Sequence, residues 1–226
     1  MKYGLDGLDF LNFKFSDKVL SDELSDKEKT SLQVKELIKL EALNKDSIVL
    51  DIGSNFGVVL ENLQDVNCTV YAYEPHPIFF SMLKKKYANN KNFILSDNAV
   101  WNKTEKRKFY FKRSFDRLNG GATLLAEKTN IINKKLNKEV QCKDVSEIIR
   151  VIGSDIDVLK MDVEGAEYQI LERLYETGLY KKIKSIYFED HSRKFINGAW
   201  HARKERILET YKSAGIELLC LIFYLL

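Results

Sequence analysis

Five short apolar runs in this chain end on a carboxylate or run into a polar or glycine turn, and amphipathic stretches follow most of them. They are "IVLD" running into Gly53, "CTVYAYE" ending at Glu74, "NFIL" leading to Asp97 and Asn98, "IDVLKMD" ending at Asp162, and "SIYFED" ending just before His191. Runs of this length read as strands buried on both faces, and the amphipathic stretches as helices laid over them. Strands alternating with helices pair in parallel, because each helix carries the chain back across the sheet. The expected fold is therefore α/β: a parallel sheet with helices on both faces. Ligands of such sheets sit at the carboxyl ends of the strands, near the point where strand order reverses. All five ends carry polar or glycine residues, so that is where function is expected.

Capping chemistry supports the helices. "SDKE" (Ser25 to Glu28) is a capping box followed by Leu32, Leu37, Ile38 and Leu43 at helical spacing. Pro77 suits the first turn of a helix over "IFFSMLKKKYANN". "SDNAVW" reads as a loop. "KRKFYF" and "KEVQC" read as strands flanking an irregular stretch with "NGGATLL", a β-rich insertion over about residues 106–142. The frame resumes with helices over "DVSEIIRVI", "GAEYQILERLY" and "ARKERILETYKSAG", and closes on a terminal strand, "IELLCLIFYLL". The expected organisation is an N-terminal arm, residues 1–24, and a single domain over 25–226.

At 226 residues the chain suits one α/β domain with a full core. Its 36 basic and 33 acidic residues are mostly interspersed, and a net charge of +3 is too small to imply a polyanionic partner. Cys68, Cys142 and Cys220 are scattered without a C-x-x-C pair, which argues against disulfides or structural zinc and for a reducing, cytoplasmic compartment. The N-terminus lacks a signal-peptide core, and the apolar C-terminus is too short to span a bilayer as a helix.

The turn after the first strand narrows the ligand. A dinucleotide fingerprint needs glycine where Asn55 stands, and no G-K-[ST] phosphate loop is present. What fits is D-x-G-x-N-x-G (Asp51, Gly53, Asn55, Gly57), a form of the loop of S-adenosylmethionine-dependent methyltransferases. Gly53 and Gly57 permit a tight turn near the methionine end of that cofactor. Asp51 is expected to act electrostatically or through water near its ammonium group, and Glu74 to accept hydrogen bonds from both ribose hydroxyls. Asp97 and Asn98 fit an adenine-binding loop or a plain Asx turn.

"VLDIGSNFG", "YAYEPHP", "NAVWNK", "GGATLL", Asp144 in "CKDVSEII" and above all "DVLKMDVEGAEYQIL" together resemble the FkbM-type methyltransferase family. The resemblance runs from about Ile48 to Tyr187 and implies a class I, Rossmann-like methyltransferase fold using S-adenosyl-L-methionine. It also implies O-methylation, commonly of sugars, polysaccharide-biosynthesis intermediates or other specialised metabolites. That fold usually closes with an antiparallel hairpin, whereas this chain stops after "IELLCLIFYLL"; a homodimer covering the last sheet edge is one expectation.

Methyl transfer from a sulfonium needs the acceptor oxygen aligned and its proton removed. The ends of the fourth and fifth frame strands offer Asp162, Glu164, Glu189, Asp190 and His191. His191 has the ordinary pKa best suited to a base. Asp162 is expected to touch the methionine end of the cofactor and to orient His191 or the substrate, or to serve as base itself. Glu164 is expected to be a further catalytic candidate or simply to favour the N-terminus of the next helix. These groups also form a set that a divalent ion accepts, but metal-free transfer is the expectation. The expected acceptor is a small molecule or glycan intermediate bound partly by the insertion. A nucleic-acid methyltransferase is the alternative, though "DVEG" stands where base amino-methylation uses [DNS]-P-P-[YFW]. A non-catalytic cofactor-binding module is another.

Overall fold

A computed structural model describes residues 25–112, 120–131, 133–196 and 198–221. The expected arm over residues 1–24, residues 113–119, 132 and 197, and the last five residues lie outside them. Six strands, β1 (Ile48–Ile52), β2 (Thr69–Tyr73), β3 (Phe93–Ser96), β7 (Ile156–Met161), β8 (Ile183–Glu189) and β9 (Leu218–Leu221), form one sheet in the order β3-β2-β1-β7-β8-β9. Every pairing in it is parallel. The chain builds outward from β1 to β3, then returns to place β7 on the other side of β1. The strand order therefore reverses between β1 and β7.

Period-two alternation sorts the core into two layers. Leu50 and Ile52 of β1 pack with Ile148 and Ile149 of helix α4 (Val145–Ile152), Leu171 of α5 (Glu167–Glu176) and Tyr211 of α6 (Gly198–Ser213). Val49 packs oppositely, with Val34 and Leu37 of α1 (Asp26–Leu40), Leu60 and Leu63 of α2 (Val58–Leu63) and Leu83 of α3 (Pro77–Lys86). Burying each such aliphatic side chain contributes about 1.5–3 kcal/mol, which makes these layers the main stabilising term. The capping box at Ser25 forms, with the Glu28 backbone N–H on Ser25 Oγ and the Glu28 carboxylate on the Ser25 N–H.

The segment "SDNAVW" departs from the expected loop: Ala99–Trp101 is a strand, β4. All three residues are buried, and they pair in parallel with β6 (Asn137–Asp144), which also pairs antiparallel with β5 (Glu105–Tyr110). A three-residue apolar run beside a loop signal carries too little periodicity to announce itself, so the partner strand decides it. This small sheet adds Val100, Phe109 and Cys142 to the first core layer. At the far edge β9 pairs in parallel with β8, and the remainder of the expected terminal strand lies outside the described residues. No described helix is long and apolar enough to cross a membrane.

Candidate active site at the strand ends

β1 leaves the sheet through Gly53, at φ +82°. A Cβ there would stand 1.9 Å from the carbonyl oxygen of Asp162, so only glycine lets the ends of β1 and β7 close together. Asn55 follows in the left-handed region at φ +48°, and Gly57 starts α2. The Asn55 N–H donates to Glu74 Oε2 and the His76 N–H to Glu74 Oε1, each at 2.7 Å. Glu74 is thereby fixed at the end of β2, buried. Burial pushes its carboxyl up to about 7 against the opposing pull of these two N–H groups and Lys160.

His76 caps α3, its Nδ1 accepting from the Ile78 N–H at 3.3 Å. That bond places the ring proton of the neutral imidazole on Nε2, which is buried and has no hydrogen-bond partner. Asn55 Oδ1 is likewise buried without one. Both residues line an open cavity among the ends of β1, β2 and β7, with about 580 Å³ of empty space counted together with its mouth to solvent. Gly53, Glu74, Asp162 and Glu164 line it as well, Phe79, Phe109 and Leu124 supply apolar wall, and the insertion contributes Gly120 to Ala122.

The β7 side is built of charge. Glu164, a non-glycine residue at φ +55°, accepts through Oε2 from Lys128 at 2.6 Å and Lys194 at 2.9 Å. Burial alone would raise its pKa, but His191, Lys128 and Lys194 outweigh that and hold it at about 2. Glu167, fully buried, accepts from the backbone N–H groups of Val163 (3.1 Å) and Gly165 (2.9 Å) and meets His191 Nδ1 at 2.7 Å. The helix-terminus role expected of Glu164 thus falls to Glu167. His191 Nε2 lies 3.2 Å from Glu189, 3.3 Å from Glu164 and 3.8 Å from Asp162. Burial pulls the His191 pKa down, but Glu167 and Glu189 drive it well above that of a free imidazole. Burial, then Glu189, pushes Asp162 up to about 7. Asp190 turns away, taken by Tyr168 and Lys204.

Among the expected site residues, Gly53, Asn55, Glu74, Asp162 and Glu164 meet at the cavity. Asp51, Gly57, Asp97, Asn98 and His191 do not line it. Asp51 points to the opposite face of β1, fully buried and 3.1 Å from Lys160, its neighbour in register on β7. Lys160 also donates to the carbonyl of Gly53 at 2.8 Å, so the buried pair braces the turn from below. Gly57 packs against Leu83 of α3. Asp97 is exposed, and Asn98 donates through its side-chain amide at 2.8 Å and its backbone N–H at 3.3 Å to Ser96 Oγ, a serine-based turn rather than an Asx turn. Asp144 caps α4 and pairs with Arg173 at 2.7 Å.

Sequence reasoning missed Lys160, Glu167 and Lys128. The signal for Lys160 was a cation inside an apolar strand, which implies a buried counter-charge. Lys128 had no signal, because only folding brings the insertion to Glu164.

A parallel sheet with a polar-lined cavity at its reversal point is the architecture of a nucleotide-type ligand site on an α/β frame. The model of the FkbM methyltransferase domain matches residues 51–215, and the chain belongs to that family. It is a methyltransferase, and the family implies a methyl donor. No curated protein sequence matches the chain.

Proposed function

We propose that the protein transfers the methyl group of S-adenosyl-L-methionine to a hydroxyl of a small acceptor, a sugar, a surface-polysaccharide intermediate or a phosphorylated metabolite. One observation carries this reading. The cavity joins three buried polar groups suited to an adenosyl ligand, Glu74, Asn55 and His76, to two carboxylates at its other end, Asp162 and Glu164. Each Glu74 oxygen keeps a lone pair beyond its backbone bond, enough for the two ribose hydroxyls. Asn55 Oδ1 accepts from an ammonium group, and His76 Nε2 donates to an acceptor on the adenosine side. The bound cofactor supplies a methyl group already activated on sulfur.

The protein's own work is alignment and proton removal. His191 neither lines the cavity nor holds a free lone pair while protonated, so its role is to position the carboxylates around it. We assign the proton of the acceptor hydroxyl to Asp162, which faces the cavity and has no lysine or arginine ion-pair partner among the described residues. Gly120, Gly121 and Ala122 line the same cavity, which supports a role for the insertion in holding the acceptor.

Calorimetry with S-adenosylhomocysteine tests the donor half, and a screen of activated sugars with S-adenosylhomocysteine release as readout tests the acceptor half. Asp162→Asn should lower turnover by roughly 10²–10⁴-fold. A protein that binds no S-adenosylhomocysteine would end the proposal.

A further inference from the structure

The carboxylate and imidazole cluster has a geometry that proton transfer leaves unexplained. The geometry points to a binding site for one divalent cation of the first transition series, held by Asp162, Glu164 and His191 with Glu189 beside them. One ligand atom from each of the first three lies within 4.8 Å of the others. His191 Nε2 is buried and surrounded by carboxylate oxygens at 3.2, 3.3 and 3.8 Å, yet it makes no hydrogen bond. Two ligands each about 2.1 Å from a shared ion stand about 3.0 Å apart at a right angle and about 3.4 Å apart at a tetrahedral one. The Glu189 and Glu164 oxygens stand at that spacing from Nε2, and the Asp162 oxygen stands somewhat beyond it.

The surroundings fit the same reading. A metal-bound histidine characteristically gives its other ring N–H to a carboxylate, which fixes the ring and raises its basicity. Glu167 occupies that position at 2.7 Å from Nδ1, and two backbone N–H groups hold Glu167 in turn. Charge selects the valence. Lys128 and Lys194 already neutralise Glu164, so Glu164 is the weakest ligand of the set. Asp162 and Glu189 have no lysine or arginine ion-pair partner among the described residues, which leaves two negative charges for a dication. One nitrogen among oxygens suits manganese, iron, cobalt or zinc better than magnesium or calcium. On binding, the ion takes the place of the proton on Nε2, which leaves to solvent.

This site goes beyond the methyl-transfer reading and departs from the metal-free expectation of the sequence. With the ion bound, one Asp162 oxygen would be its ligand and the other would remain for the acceptor proton. The test uses the full chain, stripped with chelator and titrated with MnCl₂ while the resonance of free Mn²⁺ is followed. The expected result is one saturable Mn²⁺ per chain. Asp162→Asn should weaken it at least tenfold, and Glu167→Gln, which touches no ion, by roughly 10–100-fold, with circular dichroism confirming both folds. No saturable uptake of Mn²⁺ or Co²⁺, or uptake unchanged in Asp162→Asn and Glu167→Gln, overturns the site and leaves a protonated imidazole holding the cluster. A parallel S-adenosylhomocysteine titration in chelator separates the two readings. Nucleoside binding without Mn²⁺ uptake removes only the cation site, and Mn²⁺ uptake without nucleoside binding removes only the proposed reaction.

Discussion

The cavity has two ends built on different principles. Around β1 and β2 it is shaped by backbone: a glycine turn, two N–H groups converging on Glu74, and a capped helix start at His76. Around β7 and β8 it is shaped by charge. Carboxylates from the β7–α5 turn, α5 and β8, lysines from the insertion and the segment after β8, and one histidine compensate one another in a buried space. The first end is local, since its key contacts join residues at most about 20 positions apart. The second exists only when separate segments meet. At this end side-chain change matters at few positions, Gly53, Asn55, Glu74 and His76. A charge-built end loses its balance when any member is removed.

The largest expected effect comes from the residue the two ends share. Gly53→Ala puts a methyl group onto the Asp162 carbonyl at a strained φ, and urea unfolding should show a loss of about 3 kcal/mol or more. A midpoint close to the parent's would mean that β1 and β7 can part freely, and the two ends would then be independent.

Glu74 tests the first end through pH. Its carboxyl is raised from 4.5 to about 7 by burial, so the protonated form is the one the empty fold favours. Its contribution is complete below the unfolded pKa and is lost as pH rises through about 7. At about 1.4 kcal/mol per unit this amounts to about 3 kcal/mol. Stability of the ligand-free protein should fall between about pH 5 and pH 8, and Glu74→Gln should remove the Glu74 share of that fall, leaving the share of Asp162 and His191, whose pKa values are also raised. Affinity for S-adenosylhomocysteine should move the other way, rising over the same interval as the ionised carboxylate accepts the ribose hydroxyls. Affinity independent of pH would take Glu74 out of that role.

Removing the carboxylate altogether is a somewhat smaller test. Glu74→Ala should weaken nucleoside binding by about 1.5–3 kcal/mol, the worth of charge-assisted hydrogen bonds. Mn²⁺ uptake at the other end should stay as it was. If both change together, the ends are coupled through the Asp51–Lys160 pair beneath them.

The smallest effect is expected at Asn98, whose amide is engaged with Ser96 outside the cavity. Asn98→Ala should alter nucleoside affinity by less than about threefold, within the few tenths of a kcal/mol typical of surface changes. A tenfold loss in calorimetry would restore the adenine-loop role considered from the sequence.

Much of this molecule follows from local chemistry. The apolar runs of "IVLD" and "DVLKM" specify buried parallel strands, "SDKE" and Pro77 start helices, and Gly53 and Glu74 mark the ligand end, because period, capping and turn requirements act over a few residues. The short run "AVW" shows where that ends, since a partner strand forty residues away makes it a strand. His191 shows it more sharply. From the sequence it is a histidine with an ordinary pKa at a strand end, suited to act as a base. Its protonation and its distance from the cavity are set by Glu167, Glu189 and Glu164, groups whose approach depends on how the β7–α5 turn packs against β8. Conformational preference is a property of neighbours along the chain, whereas the balance of charges depends on distances in space. The sequence by itself therefore determined the frame and the turn at Gly53, and only the tertiary structure decided which carboxylates line the cavity.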